Sequence, residues 1–84
     1  MKVDRNVIEQ AYAFFHQKLK VYEHSTSESE RDHIEDSIAA YSNAMSKDLF
    51  DELSHGNPVF LHEHCSFLTE LAQAVTTMEF WLAD

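Results

Sequence analysis

Apolar residues repeat with helical spacing along the last third of the chain, and this repeat limits what the protein can fold into. Successive members are three or four residues apart, and they are Phe60, His64, Phe67, Leu71, Ala74, Met78 and Trp81. Further apolar side chains beside them widen the surface beyond the narrow seam of a coiled coil. A helix this apolar must be covered from more than one side, so the sequence predicts an all-α protein.

Capping signals divide the chain into three predicted helices. Asp4 is a suitable N-cap for the first, and serine–glutamate pairs within residues 25–30 have the capping-box spacing that starts the second. The sequence Gly56-Asn57-Pro58 matches a helix end followed by a helix start. The predicted helices span about residues 5–24, 27–54 and 58–83, and they form an antiparallel three-helix bundle in one domain, residues 1–84.

The second predicted helix is weakest near residues 42–47, where serine and asparagine interrupt better helix formers. Ser46 could cap a short separate segment that ends near Ser54. No glycine or proline lies in this region, so a continuous or kinked helix is favoured over a clean break.

Acidic residues outnumber basic ones by 15 to 6, which gives the chain a formal net charge of −9. A surface of this sign repels nucleic-acid phosphates and anionic lipid headgroups, so the sequence predicts no direct nucleic-acid binding and no membrane association. A basic protein is the partner that this charge suits. The chain has no secretory signal and a single cysteine, Cys65, which together predict a cytoplasmic protein without an internal disulfide.

The 6 histidines of this short chain raise the question of metal binding. Glu30 and His33, and likewise Glu52 and His55, have the Glu-x-x-His spacing of dinuclear carboxylate bundles. Both pairs lie on the same predicted helix, roughly 33 Å apart along its axis, so they cannot share a metal ion.

The densest cluster of potential ligands is His62-Glu63-His64-Cys65. Successive side chains point about 100° apart on a helix, so these four are expected to fan out around the axis. His64 is therefore predicted to be a partly buried core or interface residue, with a pH-sensitive role as the alternative, and Cys65 a small core side chain. The sequence predicts no metal and no cofactor, and the only candidate ligands are His55, His62 and His64.

No arrangement of residues predicts catalysis. Cys65 with a histidine partner is the only candidate nucleophile, and no glycine-rich turn or oxyanion loop accompanies it. A helical domain of 84 residues also has little volume for a substrate cavity. The protein is therefore predicted not to be an enzyme.

The predicted function is that of a small acidic interaction module that forms a homodimer and binds another protein. Apolar residues near the ends of the second and third helices are the expected contact surface, namely Phe50, Met78, Phe80, Trp81 and Leu82. One alternative is a metal- or small-ligand-binding helical bundle that uses His55, His62 and His64. A weaker alternative is a DNA-mimic inhibitor that presents the acidic face between Glu28 and Asp36.

Overall fold

Most of the chain is helical, as its apolar spacing predicts. The computed structural model describes residues 3–83, and over these residues it contains α1 (Arg5–His24), α2 (Glu28–Ala44), α3 (Lys47–Ser54) and α4 (Phe67–Leu82). No strand occurs in that range, and none of these helices combines the length and hydropathy needed to cross a bilayer. The all-α prediction is confirmed, with four helices in place of the predicted three.

α1 begins where the sequence predicts. The Oδ1 atom of Asp4 accepts a hydrogen bond of 2.9 Å from the backbone N–H of Asn6, which satisfies an otherwise unpaired amide of the first turn. Val3, just before the cap, packs against the core, and Ile8 is buried in the following turn. The cap and the apolar residues on either side of it together fix the start of the helix.

The second predicted helix is divided into two. α2 starts after Ser27, whose hydroxyl oxygen accepts from the Glu30 amide at 3.2 Å. The chain then becomes extended at Met45, and the hydroxyl oxygen of Ser46 accepts from the Leu49 amide at 3.5 Å to start α3. Leu49, in the first turn of α3, is fully buried in the core. The preference for a continuous or kinked helix over a clean break is therefore wrong, and the alternative of a break near residues 42–47 is confirmed.

The start of the third predicted helix at residue 58 is also wrong, because residues 57–66 form turns and α4 begins after them. Asn57 accepts a hydrogen bond from the Val59 amide, as an N-cap would, but no helix follows. Leu61 has a φ of 66°, in the left-handed region that interrupts a right-handed helix. The turn allows Phe60 and Leu61, which are neighbours in sequence, to enter the core together.

The carboxylate of Glu70, in the first turn of α4, anchors this turn. Its Oε1 atom accepts a hydrogen bond of 2.6 Å from the backbone N–H of Leu61. Because the Leu61 side chain is buried, its amide lies close to the core and would be costly to leave unpaired. Glu70 thus offsets the cost of the left-handed conformation.

We expect Glu70→Ala to lower the free energy of unfolding by about 1–2 kcal/mol, because the variant removes a charged acceptor from a partly buried amide. Glu79→Ala is the matched control, since Glu79 also lies on α4 but accepts from the Tyr12 hydroxyl at the surface. Urea unfolding followed by circular dichroism measures both losses. Equal losses in the two variants would contradict the anchoring role of Glu70.

α1 and α4 form the antiparallel centre of the bundle. At one end of the pair the Arg5 guanidinium donates to the Leu82 carbonyl at 2.9 Å, and at the other the rings of Tyr22 and Phe67 lie 5.0 Å apart. α2 packs on α1, and α3 lies against α4. One face of α4 is buried by this packing, and its opposite face points away from the core.

Candidate functional site

The predicted interface residues of α4 have very different exposures. Phe80 is 78% exposed, whereas Met78 is fully buried in the core and offers no surface to a partner. Trp81 and Leu82 are partly buried and pack against the core. Of these four residues, Phe80 is the large apolar side chain that the fold leaves uncovered.

Phe80 belongs to an uncharged row of exposed residues on α4. The row follows the helical repeat on the face opposite the buried one, and its members are Thr69, Gln73, Thr76 and Phe80, which we call the α4 stripe. It extends over about 16 Å of helix. None of its four members carries a charge.

The two charged residues within α4 are both held at the sides of the stripe. The Glu70 carboxylate is bonded to the Leu61 amide, and Glu79 Oε2 accepts from the Tyr12 hydroxyl at 2.9 Å. The hydrogen bond to Glu79 raises the pKa of Tyr12, so the hydroxyl stays protonated and remains a donor. Both carboxylates are thereby directed towards other parts of the fold and away from the stripe.

Phe50, the remaining predicted interface residue, lies on α3 and is partly buried. Its ring centroid is 6.3 Å from those of Phe60 and His62, so it packs onto the 57–66 turn. It also lines an open groove of about 670 Å³ between the end of α2, α3 and the turn. Phe50 and Phe80 therefore lie on different helices, and Phe50 is not part of the α4 stripe.

His62 connects the turn to the end of α2. Its Nδ1 atom lies 2.7 Å from the Phe60 carbonyl oxygen, and its Nε2 atom lies 3.3 Å from Oδ1 of Asn43. Ser42, at the wall of the same groove, is buried, and its hydroxyl has no hydrogen-bond partner. His62 therefore has a structural role, because its two ring nitrogens connect the turn to the end of α2.

The His64 ring is hydrogen-bonded to a carboxylate of α2. Its Nδ1 atom lies 2.9 Å and 3.1 Å from the two carboxylate oxygens of Glu35, which make Nδ1 the protonated nitrogen. The hydroxyl of Tyr22 donates to Glu35 Oε2 at 2.9 Å from the side of α1. Burial and this bond to Glu35 raise the pKa of Tyr22, which keeps the phenol a donor. One carboxylate therefore joins α1, α2 and the turn.

A second carboxylate lies beside this contact. Asp32 is one helical turn before Glu35, and the ligand atoms of Asp32, Glu35 and His64 lie within 4.8 Å of one another. Asp32 and His64 line a pocket of about 410 Å³. The guanidinium of Arg31 lies 5.1 Å from the ring centroid of Tyr22 at the same pocket. The result is an acidic recess with one histidine at its edge.

The predicted set of His55, His62 and His64 is not brought together as a cluster of ligands. Within residues 3–83, the group of potential ligands that does converge is Asp32, Glu35 and His64. His64 was expected to be partly buried, but its side chain is 75% exposed, and Cys65 is exposed as well. Both expectations are wrong because the 57–66 turn replaces the helix that would have directed these side chains inwards.

Sequence reasoning missed the two carboxylates of this cluster. That Asp32 and Glu35 share one face of α2 could be inferred from the sequence, because side chains three residues apart are neighbours on a helix surface. Their histidine partner lies 29 residues away from Glu35, and only the left-handed turn brings it there. No sequence signal identified that approach.

The Glu35 carboxylate, through its hydrogen bond and its charge, raises the pKa of His64 above the usual value. The folded state therefore binds this proton more tightly than the unfolded state. The stabilising contribution is complete below the pKa of the unfolded chain and is lost as the pH rises through the folded pKa. The ion pair is an exposed one, so its contribution is small.

We expect the coupling between His64 and Glu35 to be largest at mildly acidic pH and to weaken as the pH rises through the raised pKa of His64, because only the hydrogen bond from the neutral ring then remains. A double-mutant cycle of His64→Gln and Glu35→Gln, measured by urea unfolding with a chelator present, gives the coupling at each pH. The cycle cancels the loss of the Tyr22–Glu35 hydrogen bond, which the Glu35 variant also causes. A coupling that is unchanged as the pH rises through this pKa would contradict the assigned ion pair.

Besides the groove at Phe50, residues 3–83 present the uncharged α4 stripe and the acidic recess at His64. They lie on different elements, and each must be interpreted from its own residues. Comparison of the chain with protein-family models, with curated proteins and with solved structures finds no match.

Proposed function

We propose that this protein is a small acidic α-helical interaction module that forms a homodimer through the α4 stripe and binds a basic protein through its acidic surface. The observation that carries the proposal is the 78% exposure of Phe80 at the end of an uncharged helix face. Aromatic side chains of this kind are enriched among the residues that dominate binding energy. The exposure of this side chain to water does not contribute to the folding stability of a monomer.

Electrostatics favours a second copy of this chain at the α4 stripe. Each copy carries a formal net charge of −9, so two copies repel unless their charges are kept apart. The stripe is the part of α4 where no carboxylate has to be buried or brought against another. Contact through Thr69, Gln73, Thr76 and Phe80 therefore carries the smallest electrostatic cost.

A two-fold contact also uses Phe80 efficiently. In a symmetric dimer the same patch occurs on both subunits, so one exposed aromatic residue contributes twice to the interface. A single helix face buries less area than most stable interfaces, and we expect a dissociation constant on the order of micromolar. Such a dimer is reversible and leaves the other faces of the bundle free.

The acidic surface for the basic partner is provided by α2. Exposed carboxylates along this helix are Glu28, Glu30, Asp32 and Asp36. A surface of one sign accelerates encounter with a partner of the opposite sign, more than it increases final affinity. We place the protein in the cytoplasm, because its one cysteine is exposed and free, as is usual in reducing compartments.

Sedimentation equilibrium of the untagged protein tests the homodimer. The weight-average mass is expected to rise with concentration from 9.8 kDa towards twice that value. High salt is expected to strengthen the association, because it screens the repulsion between two acidic subunits. A mass that remains at the monomer value at millimolar concentration would overturn the proposal.

A further inference from the structure

The ligand atoms of Asp32, Glu35 and His64 have the spacing of a small metal site. One donor atom from each lies within 4.8 Å of the others, and His64 Nδ1 lies 2.9 Å and 3.1 Å from the Glu35 oxygens. Bonds from zinc to imidazole nitrogen and to carboxylate oxygen are both about 2.0–2.2 Å long, so two such ligands are about 3.4 Å apart around a tetrahedral ion. His64 Nδ1 and the Glu35 oxygens are now at hydrogen-bond distance, and a separation larger by only about 0.3–0.5 Å would let them bind one ion.

The Glu35 carboxylate is held in position independently of His64. Its side chain is only 16% exposed, and the Tyr22 hydroxyl donates to Oε2 from a different helix. Metal-ligating carboxylates are commonly oriented by a second hydrogen-bonded residue in this manner. Little side-chain entropy remains to be lost when an ion binds at Glu35.

The pocket beside the cluster gives an ion access to Asp32 and His64 and provides space for further ligands. The pocket has a volume of about 410 Å³ and is lined by Asp32 and His64 together with Glu28, Cys65 and Arg31, whose guanidinium lies over the Tyr22 ring. It is large enough for water molecules to complete a coordination shell. The net charge of −9 and the carboxylates of α2 attract cations to this side of the molecule.

From this arrangement we infer that Asp32, Glu35 and His64 bind one divalent transition-metal ion of the zinc class, with water completing its coordination. A ligand set with an imidazole nitrogen favours zinc, nickel, copper or iron over magnesium and calcium, which prefer oxygen ligands alone. Two carboxylates balance the charge of the ion. When the ion takes its place, the proton on His64 Nδ1 passes to solvent if the ring is an imidazolium, and Nε2 carries the remaining proton of the metal-bound neutral ring.

The ion would join α2 to the 57–66 turn. It would replace one hydrogen-bonded contact with coordinate bonds to both elements, and a ligand that binds only the folded state increases its stability. The inference concerns α2 and the turn and does not depend on whether α4 forms a dimer. Its failure and the failure of the proposed homodimer are therefore separate results.

Calorimetric titration of untagged, chelator-treated protein with Zn²⁺ tests the inference, with Co²⁺ absorption as a second measurement. We expect one ion per chain, a higher melting temperature with Zn²⁺, and cobalt bands that report nitrogen and oxygen ligands. His64→Gln and Glu35→Gln should each weaken binding at least about tenfold. Asp32→Asn should weaken it as well.

The matched control is His33→Gln, which removes an exposed histidine from the same helix and should leave the affinity unchanged. Circular dichroism of each variant verifies that it is folded, and His64 is sufficiently exposed for its replacement to be tolerated. If no ion binds at millimolar Zn²⁺, the inference is wrong. It is equally wrong if His64→Gln and His33→Gln reduce binding to the same extent, since the ion would then be held by surface histidines in general.

Discussion

Replacing Phe80 with glutamate is expected to abolish the homodimer and leave a folded monomer. Removal of an aromatic residue that dominates an interface commonly costs at least about 2 kcal/mol, and a two-fold dimer loses two of them. A total of about 4 kcal/mol corresponds to roughly a thousandfold weaker association. The introduced carboxylates would also face each other across an interface that otherwise contains no charge.

The matched control for this prediction is Val21→Glu. Val21 is an exposed apolar residue near the end of α1, and the antiparallel arrangement places it at the opposite end of the helix pair from Phe80. Both variants add one charge to the chain, so a general effect of net charge would appear in both. Sedimentation velocity over a series of concentrations measures association. Equal weakening in the two variants would contradict the assignment of the contact to the α4 stripe.

Phe67→Ala is expected to have the largest effect on folding stability. The Phe67 side chain is 1% exposed and lies 5.0 Å from the ring of Tyr22, where α4 starts and α1 ends. Truncation of a buried phenylalanine costs about 3–5 kcal/mol, because apolar contacts are lost and a cavity remains. A domain of this length has a total stability of about 4–13 kcal/mol, so the loss removes much of it.

Leu68→Ala is the control for Phe67→Ala. Leu68 is the next residue in the sequence, but it is 43% exposed, so its truncation should cost well under about 1 kcal/mol. Urea unfolding at one low protein concentration keeps association from contributing to the comparison. If the two variants lost the same stability, the assignment of Phe67 to the core would be wrong.

Capping residues made the beginning of the fold predictable. Asp4 and Ser27 act through hydrogen bonds to amides two and three residues away, so local sequence contains the whole interaction. The same applies to Ser46, whose capping hydrogen bond to the Leu49 amide starts α3 although no glycine or proline lies nearby. A serine cap can interrupt a helix without either residue, because its hydroxyl satisfies the amides of the new first turn.

The 57–66 turn could not be predicted in the same way. Its apolar residues continue the helical spacing of α4, and a left-handed leucine is rare enough that periodicity gives no indication of it. The conformation depends on the burial of Phe60 and Leu61 and on the carboxylate of Glu70, which are tertiary interactions. The spacing of apolar residues therefore predicted that Phe60 and Leu61 are buried. It did not predict that their backbone forms a turn and not a helix.

The candidate sites also divide into features set by local sequence, which could be predicted, and features set by tertiary contacts, which could not. Phe80 was identified from the sequence because it lies at the margin of the apolar repeat, which is a local property. Met78 was included with it, although its position in the repeat places it in the centre of the buried face. The convergence of His64 with Asp32 and Glu35 required the turn, and so only the structure revealed it.

Photo-crosslinking from position 80 tests the central claim most directly. Substitution of Phe80 with benzoylphenylalanine keeps an aromatic side chain there and allows covalent capture of whatever lies against it on irradiation. The account predicts a covalent dimer in the purified protein, with mass spectrometry locating the bond on α4 of the second copy. The same group at Val21 should give no dimer. Irradiated protein that remains entirely monomeric, or that is captured equally well from both positions, would contradict the account.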